Sequence, residues 1–151
     1  MLSLTKRTGY ALIAMAHLSE LPAGRHSSAR EIAEVCGVPA SLLMNVLKEL
    51  SAAGYVESVR GAHGGYRLAR RPEPVNLAEL VEAIEGPVRL AECALDVADD
   101  KECTCQVMSR CPVADPLHRV QRKLQDFLRK VTVAEITAAA HSLPGQRREG
   151  N

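Results

Sequence analysis

The chain has 151 residues, 46% hydrophobic and 25% charged, and its 19 Lys and Arg against 18 Asp and Glu leave a formal net charge of +1, a profile that fits one globular domain with a sizeable core and excludes a disordered chain. No apolar run approaches a membrane span, and the stretch from Tyr10 to Ala16 is cut off by His17 and lacks a small-residue cleavage site, so the expectation is a cytoplasmic protein with no membrane partner. Aromatics make up only 3% and Trp is absent, which argues against a reader of single strands or RNA, since such readers stack bases on aromatic rings.

In chain order, the Ala-, Leu- and Ile-rich stretch from about Leu4 to Leu18 predicts a first helix ending near Pro22-Ala23-Gly24. Ser28-Ala29-Arg30-Glu31 is a capping box that opens a second helix running to Gly37. Pro39 suits the first turn of a third helix, which carries Leu42, Leu43, Val46, Leu47 and Leu50 and stops at Gly54. Two short helices around a tight glycine turn make a helix-turn-helix. From Tyr55 to Val59 and again from Tyr66 to Arg70 the hydrophobic period becomes two, around the glycine-rich turn Arg60 to Gly65, which predicts a hairpin serving as a wing. Asn76-Leu77-Ala78-Glu79 starts a fourth helix that ends at Gly86-Pro87.

After a cysteine-bearing segment, Pro112 and Pro116 fit the opening turn of a long helix. Along it Val113, Leu117, Val120, Leu124, Phe127 and Val131 alternate in steps of four and three. This heptad seam needs a partner helix, and the rest of the chain offers none of matching pattern, so a second copy of the chain is the expected one, with packing on its own domain as the alternative. Thr132-Val133-Ala134-Glu135 caps a short last helix, and the tail from Pro144 is expected to be disordered. The predicted fold is mainly α with a small β-hairpin. It comprises a winged helix-turn-helix DNA-binding domain with its N-terminal helix over 1–86, a cysteine-rich loop over 87–111, the dimerisation and C-terminal helices over 112–143, and the tail 144–151.

Charge is distributed unevenly. Residues 1–75 hold nine basic and six acidic side chains, the remainder ten and twelve, and four arginines with no acid fall between Arg60 and Arg71. Cations on a wing meet phosphates or a narrow minor groove. In the third helix Ala40, Ser41, Leu42, Asn45 and Lys48 occupy the positions that could reach base edges or phosphate, with Ser28 at the start of the second helix beside them. Gly61, Gly64 and Gly65, with His63 among them, would allow positive φ and a close approach of backbone to phosphate. Taken singly, Ser41 could be a helix cap and the arginines a solvated face. Together they point to double-stranded operator DNA as the partner.

Of five cysteines, Cys36 stands alone beside Val35 and Val38 and reads as a buried hydrophobe. Cys93, Cys103, Cys105 and Cys111 fall within 19 residues. Thiolates are soft ligands suited to iron–sulfur clusters, and a loop can converge them where a rigid helix could not. Zinc accepts four thiolates, but the paired knuckles usual for it are missing. The acids Glu92, Asp96, Asp99, Asp100 and Glu102 oppose thiolate formation without metal, which favours ligation over a bare redox thiol. No Ser/His/Asp arrangement, paired-carboxylate cleft or nucleotide loop is present to support an enzyme.

The run from Arg60 to Arg70, Leu4-Thr5-Lys6 with Tyr10-Ala11, and the stretch from Asn76 to Gly86 leading to Glu92-Cys93 resemble the iron–sulfur cluster regulators typified by IscR, NsrR and RirA, and most of all the regulators of SUF cluster assembly. The resemblance spans about residues 2 to 140. It implies a homodimeric winged-helix repressor whose DNA affinity follows an iron–sulfur cluster, 2Fe–2S favoured over 4Fe–4S, and which controls cluster-assembly genes. Relatives use three cysteines, the last at the head of the dimer helix, which carries over to Cys111. Cys105 is the preferred middle ligand, Cys103 its competitor, and Cys93 the first. The fourth ligand of relatives does not carry over, because Ala114 and Gly9 stand where they place a histidine and a carboxylate. A fourth cysteine, His118 or a group from the partner subunit remains, and His118 is expected at the surface. The alternative is a metal-free or zinc-binding winged-helix regulator controlled by a protein partner or by thiol oxidation.

Overall fold

The structure is a computed structural model and describes residues 4–61, 64–91, 105–106 and 110–141. Cys93, Cys103, His63 and the tail 144–151 lie outside the described residues. The elements in chain order are α1 (Lys6–Ser19), α2 (Ala29–Cys36), α3 (Ala40–Ala52), β1 (Val56–Val59), β2 (Gly65–Leu68), α4 (Leu77–Glu85), α5 (Ala114–Lys130) and α6 (Val133–His141).

Local chemistry sets the helix ends. Both halves of the Ser28/Glu31 capping box form, and Gly37 closes α2 in the left-handed region at φ 67°. α3 follows at once, with Pro39 as its N-cap. Asn76 caps α4 through the Glu79 N–H, and Thr132 and Glu135 cap each other reciprocally at the start of α6.

The helices α1 to α4 enclose a core in which Met15, Ile32, Leu43, Leu47, Leu50 and Leu80 are fully buried. The antiparallel wing pairs Val56 with Leu68 and Val59 with Gly65. On its other side Tyr66 exchanges two backbone hydrogen bonds with Ser27, at 2.8 and 3.0 Å, so the strand is anchored to the chain entering α2. A two-stranded ribbon alone is marginal, and this third contact fixes its pose.

The C-terminal helices join this body at two places. Leu128, Leu124 and Val131 pack with Leu77, Ala78 and Val81 of α4. Leu77 donates its N–H to the Val131 carbonyl and Val133 donates to that of Val75, each at 2.8 Å. The long helix therefore has an intrachain partner, which corrects the expectation that the chain offers none. The seam consists of two rows, each repeating every seven residues, that lie about 40–60° apart around a 3.6-residue helix. Leu117, Leu124 and Val131 are half-buried, while Val113, Val120 and Phe127 are 59%, 53% and 62% exposed.

Candidate DNA-binding face and cysteine segment

The solvent face of α3 carries Ala40, Ser41, Leu42, Met44, Asn45 and Lys48, all exposed. Ser41 is not a cap, because Pro39 holds that position without a side-chain bond. Its hydroxyl and the Asn45 amide thus lie on the exposed face of α3. Ser28 differs: it is half-buried, and its hydroxyl accepts the Glu31 N–H at 3.2 Å, so it organises the entry to α2 and does not present a free group.

Three further residues adjoin this face, and sequence reasoning did not single them out as part of it. Met44 follows the expected contact residues on the same exposed face. Lys6 and Tyr10 of α1 line a shallow groove with Leu42, Asn45 and Lys48, which places a second cation beside Lys48. Lys6 could have been found from its place at the polar start of α1. Arg7, next to it, is held by Glu49 at 2.5 Å.

On the wing three of the four arginines separate by partner, and the fourth, Arg71, is exposed with no acid paired to it among the described residues. Arg67 is ion-paired across the strands with Glu57, and the Arg70 guanidinium lies 5.6 Å from the centroid of the Tyr55 ring. This is a cation–π contact, and burial pushes the Tyr55 phenol above its ordinary pKa, reinforced by Glu79 and Glu82 and opposed by Arg70. Arg60 is exposed, and no acid pairs with it among the described residues. Arg60 in the turn, like Arg71 just after β2, is therefore a cation with no acid partner among the described residues.

The glycines also divide. Of Gly61, Gly64 and Gly65 only Gly61 has positive φ, at 132°. A Cβ on Gly64 would run into the Val59 carbonyl oxygen, and one on Gly65 would lie 2.6 Å from the Ser27 carbonyl oxygen. These two glycines are required by close backbone packing inside the protein, which corrects the expectation of positive φ at all three.

In the cysteine segment Cys105 and Cys111 are half-buried free thiols, and Cys111 accepts the Ala114 N–H through its carbonyl just before α5. His118 is not the surface residue expected: it is half-buried, and its Nε2 is buried without a hydrogen-bond partner, as is Nε of Arg89. Among the described residues no three His, Cys, Asp or Glu side chains form a metal-binding group. Two soft thiols and an unpartnered imidazole nitrogen nevertheless fit an iron–sulfur group in donor chemistry. Gln121, absent from the sequence reading, is 3% exposed and bonds the backbone at Val88 and Leu90; no sequence pattern marks it.

The family model for Rrf2, described as an iron-dependent transcriptional regulator, matches residues 4–139. The chain belongs to the Rrf2 family. As an Rrf2 protein it is a DNA-binding transcription regulator and not an enzyme. Among solved structures it is similar to a transcriptional regulator from Listeria innocua, with 25% identity, a TM-score of 0.68 and coverage of 99% of this chain and 94% of the other. It is also similar to T. potens IscR, with 25% identity, a TM-score of 0.65 and coverage of 95% and 93%. CymR, the global cysteine regulator of B. subtilis, shares the fold at 24% identity and a TM-score of 0.67, with 92% and 98% covered. This Rrf2 chain has no helix among its described residues that is long and apolar enough to cross a membrane.

Proposed function

We propose that this Rrf2 protein is a cytoplasmic, homodimeric repressor whose operator affinity follows an iron–sulfur cluster held by Cys93, Cys111 and one or both of Cys103 and Cys105, and that the genes it controls serve cluster assembly. The observation that carries this reading is the half-buried thiol of Cys111 at the head of α5, the helix that also exposes Val113, Val120 and Phe127. When bound, such a cluster supplies a charge and a set of bonds sensitive to iron and oxidation.

The chain's own residues do the rest. Ser41 and Asn45 read base edges in the major groove, Lys6 and Lys48 hold phosphates beside them, and Arg60 reaches the backbone or minor groove from the wing. The row Val113, Val120 and Phe127 packs against its copy, and the two α5 helices set the separation of the recognition helices. Half-sites one turn of DNA apart lie about 34 Å from each other, so a small shift of α5 changes the fit.

The reading is tested by measuring operator affinity for anaerobically loaded and iron-chelated protein. Cys111→Ala should abolish both the chromophore and the difference between the two states. Equal affinity in the two wild-type states would contradict the cluster reading and favour control by thiol oxidation or a protein partner.

A further inference from the structure

Gln121 lies in the middle of α5 and is almost fully buried, at 3% exposure. Its Nε2 donates to the Val88 carbonyl at 2.6 Å, and its Oε1 accepts the Leu90 N–H at 2.9 Å. The orientation of the amide is dictated by its partners, since a backbone N–H only donates and a carbonyl only accepts. One side chain thus reads alternate residues of the segment, as a neighbouring strand would. Val88 itself packs on the cluster formed by α4 and α5.

What this clamp grips is the entrance to the cysteine segment. Cys93 stands three residues beyond Leu90, which is at most about 10 Å of chain. On the helix side the neighbouring residue, Val120, belongs to the exposed apolar row. At its far end α5 is tied by the Val131 carbonyl to Leu77, and by Val133 to Val75. Val75 follows the wing arginines by only a few residues. The clamp therefore joins the cysteine segment to the same helix that carries the apolar row and that is tied at its far end to the DNA-binding domain.

We infer that Gln121 is the positioning residue through which the state of the cysteine segment reaches α5. With both hydrogen bonds made, residues 88–90 are held in register along the helix. A change in what Cys93 is bonded to makes or breaks this pair, and α5 responds because an unpaired amide cannot stay buried without cost. The inference rests on the reading above in one respect only, that the segment has two states.

The test compares wild type with Gln121→Met, which keeps length and apolar volume but removes both hydrogen bonds. Iron and sulfide content, operator Kd in loaded and chelated forms, and hydrogen exchange of the peptide covering 87–91 are measured for each. Wild type should show different Kd values in the two forms and slower exchange at 87–91 when loaded. Gln121→Met should take up the same iron and sulfide, with its ratio of Kd values within twofold of one. An unchanged ratio in a loaded variant would overturn the inference while leaving the cluster reading intact. Equal wild-type Kd values in the two forms would overturn both. Should the variant not fold, exchange in wild type decides: identical protection of 87–91 in the two forms contradicts the clamp.

Discussion

At Glu85 the balance of burial and hydrogen bonding decides a charge. Burial works to raise its pKa, but hydroxyl donation from Thr5 and from Thr8, the latter at 2.7 Å, outweighs burial and holds the carboxyl below its ordinary value. A carboxylate with a lowered folded-state pKa contributes stability above its unfolded pKa and loses that contribution as pH falls through the folded value. Glu85→Gln should therefore be less stable than wild type at pH 7, and the gap should close on acidification below about pH 4; thermal melts across that range check it. Gly65→Ala should cost about 1–3 kcal/mol through overpacking against Ser27, read by denaturant unfolding. Arg60→Ala should weaken operator binding in every metal state and lower the salt slope by about one, whereas Arg67→Ala should have a smaller effect because Glu57 already neutralises that charge. Such distinctions were not legible beforehand: the sequence displays four arginines alike, and only the cross-strand pairing of Glu57 with Arg67 and the ring of Tyr55 under Arg70 tell them apart.

Among the elements, those with strong local signals were read with small shifts at the ends. The capping box at Ser28, the left-handed Gly37 and the cap at Thr132 all form, because a cap depends on residues three apart and little else. Leu47 shows how the helix-turn-helix is held: it is fully buried in α3, and Leu47→Ala should cost about 2–5 kcal/mol, measurable by chemical denaturation. The wing glycines were harder to interpret. Their presence marked the turn, but the reason for Gly65 is Ser27, which lies far away in sequence and close in space. The seam of α5 was visible as a heptad, yet its division into a row facing α4 and a row facing outward depends on where the helix docks. Spacing alone cannot rank two adjacent rows that repeat with the same period.

For the whole molecule, the exposed row Val113, Val120 and Phe127 extends about 21 Å along α5 and, under the reading proposed here, joins two copies. Phe127→Glu should yield a monomer by sedimentation and lose operator affinity, since each half-site then binds alone. The family's role was legible in kind more than in geometry: the helix-turn-helix pattern and the basic wing announced a DNA-binding regulator, and the clustered cysteines carry the proposal of a metal, but neither the buried amide of Gln121 nor the burial of the His118 nitrogen leaves a trace in sequence. The central claim of the function proposed above is that metal held by the cysteine segment governs DNA occupancy. Its most direct test is visible absorption together with iron and acid-labile sulfide per chain after strictly anaerobic purification. Stoichiometric iron and sulfide with a visible chromophore, lost in Cys111→Ala, is the predicted result; a folded protein that stays colourless after reconstitution would contradict it.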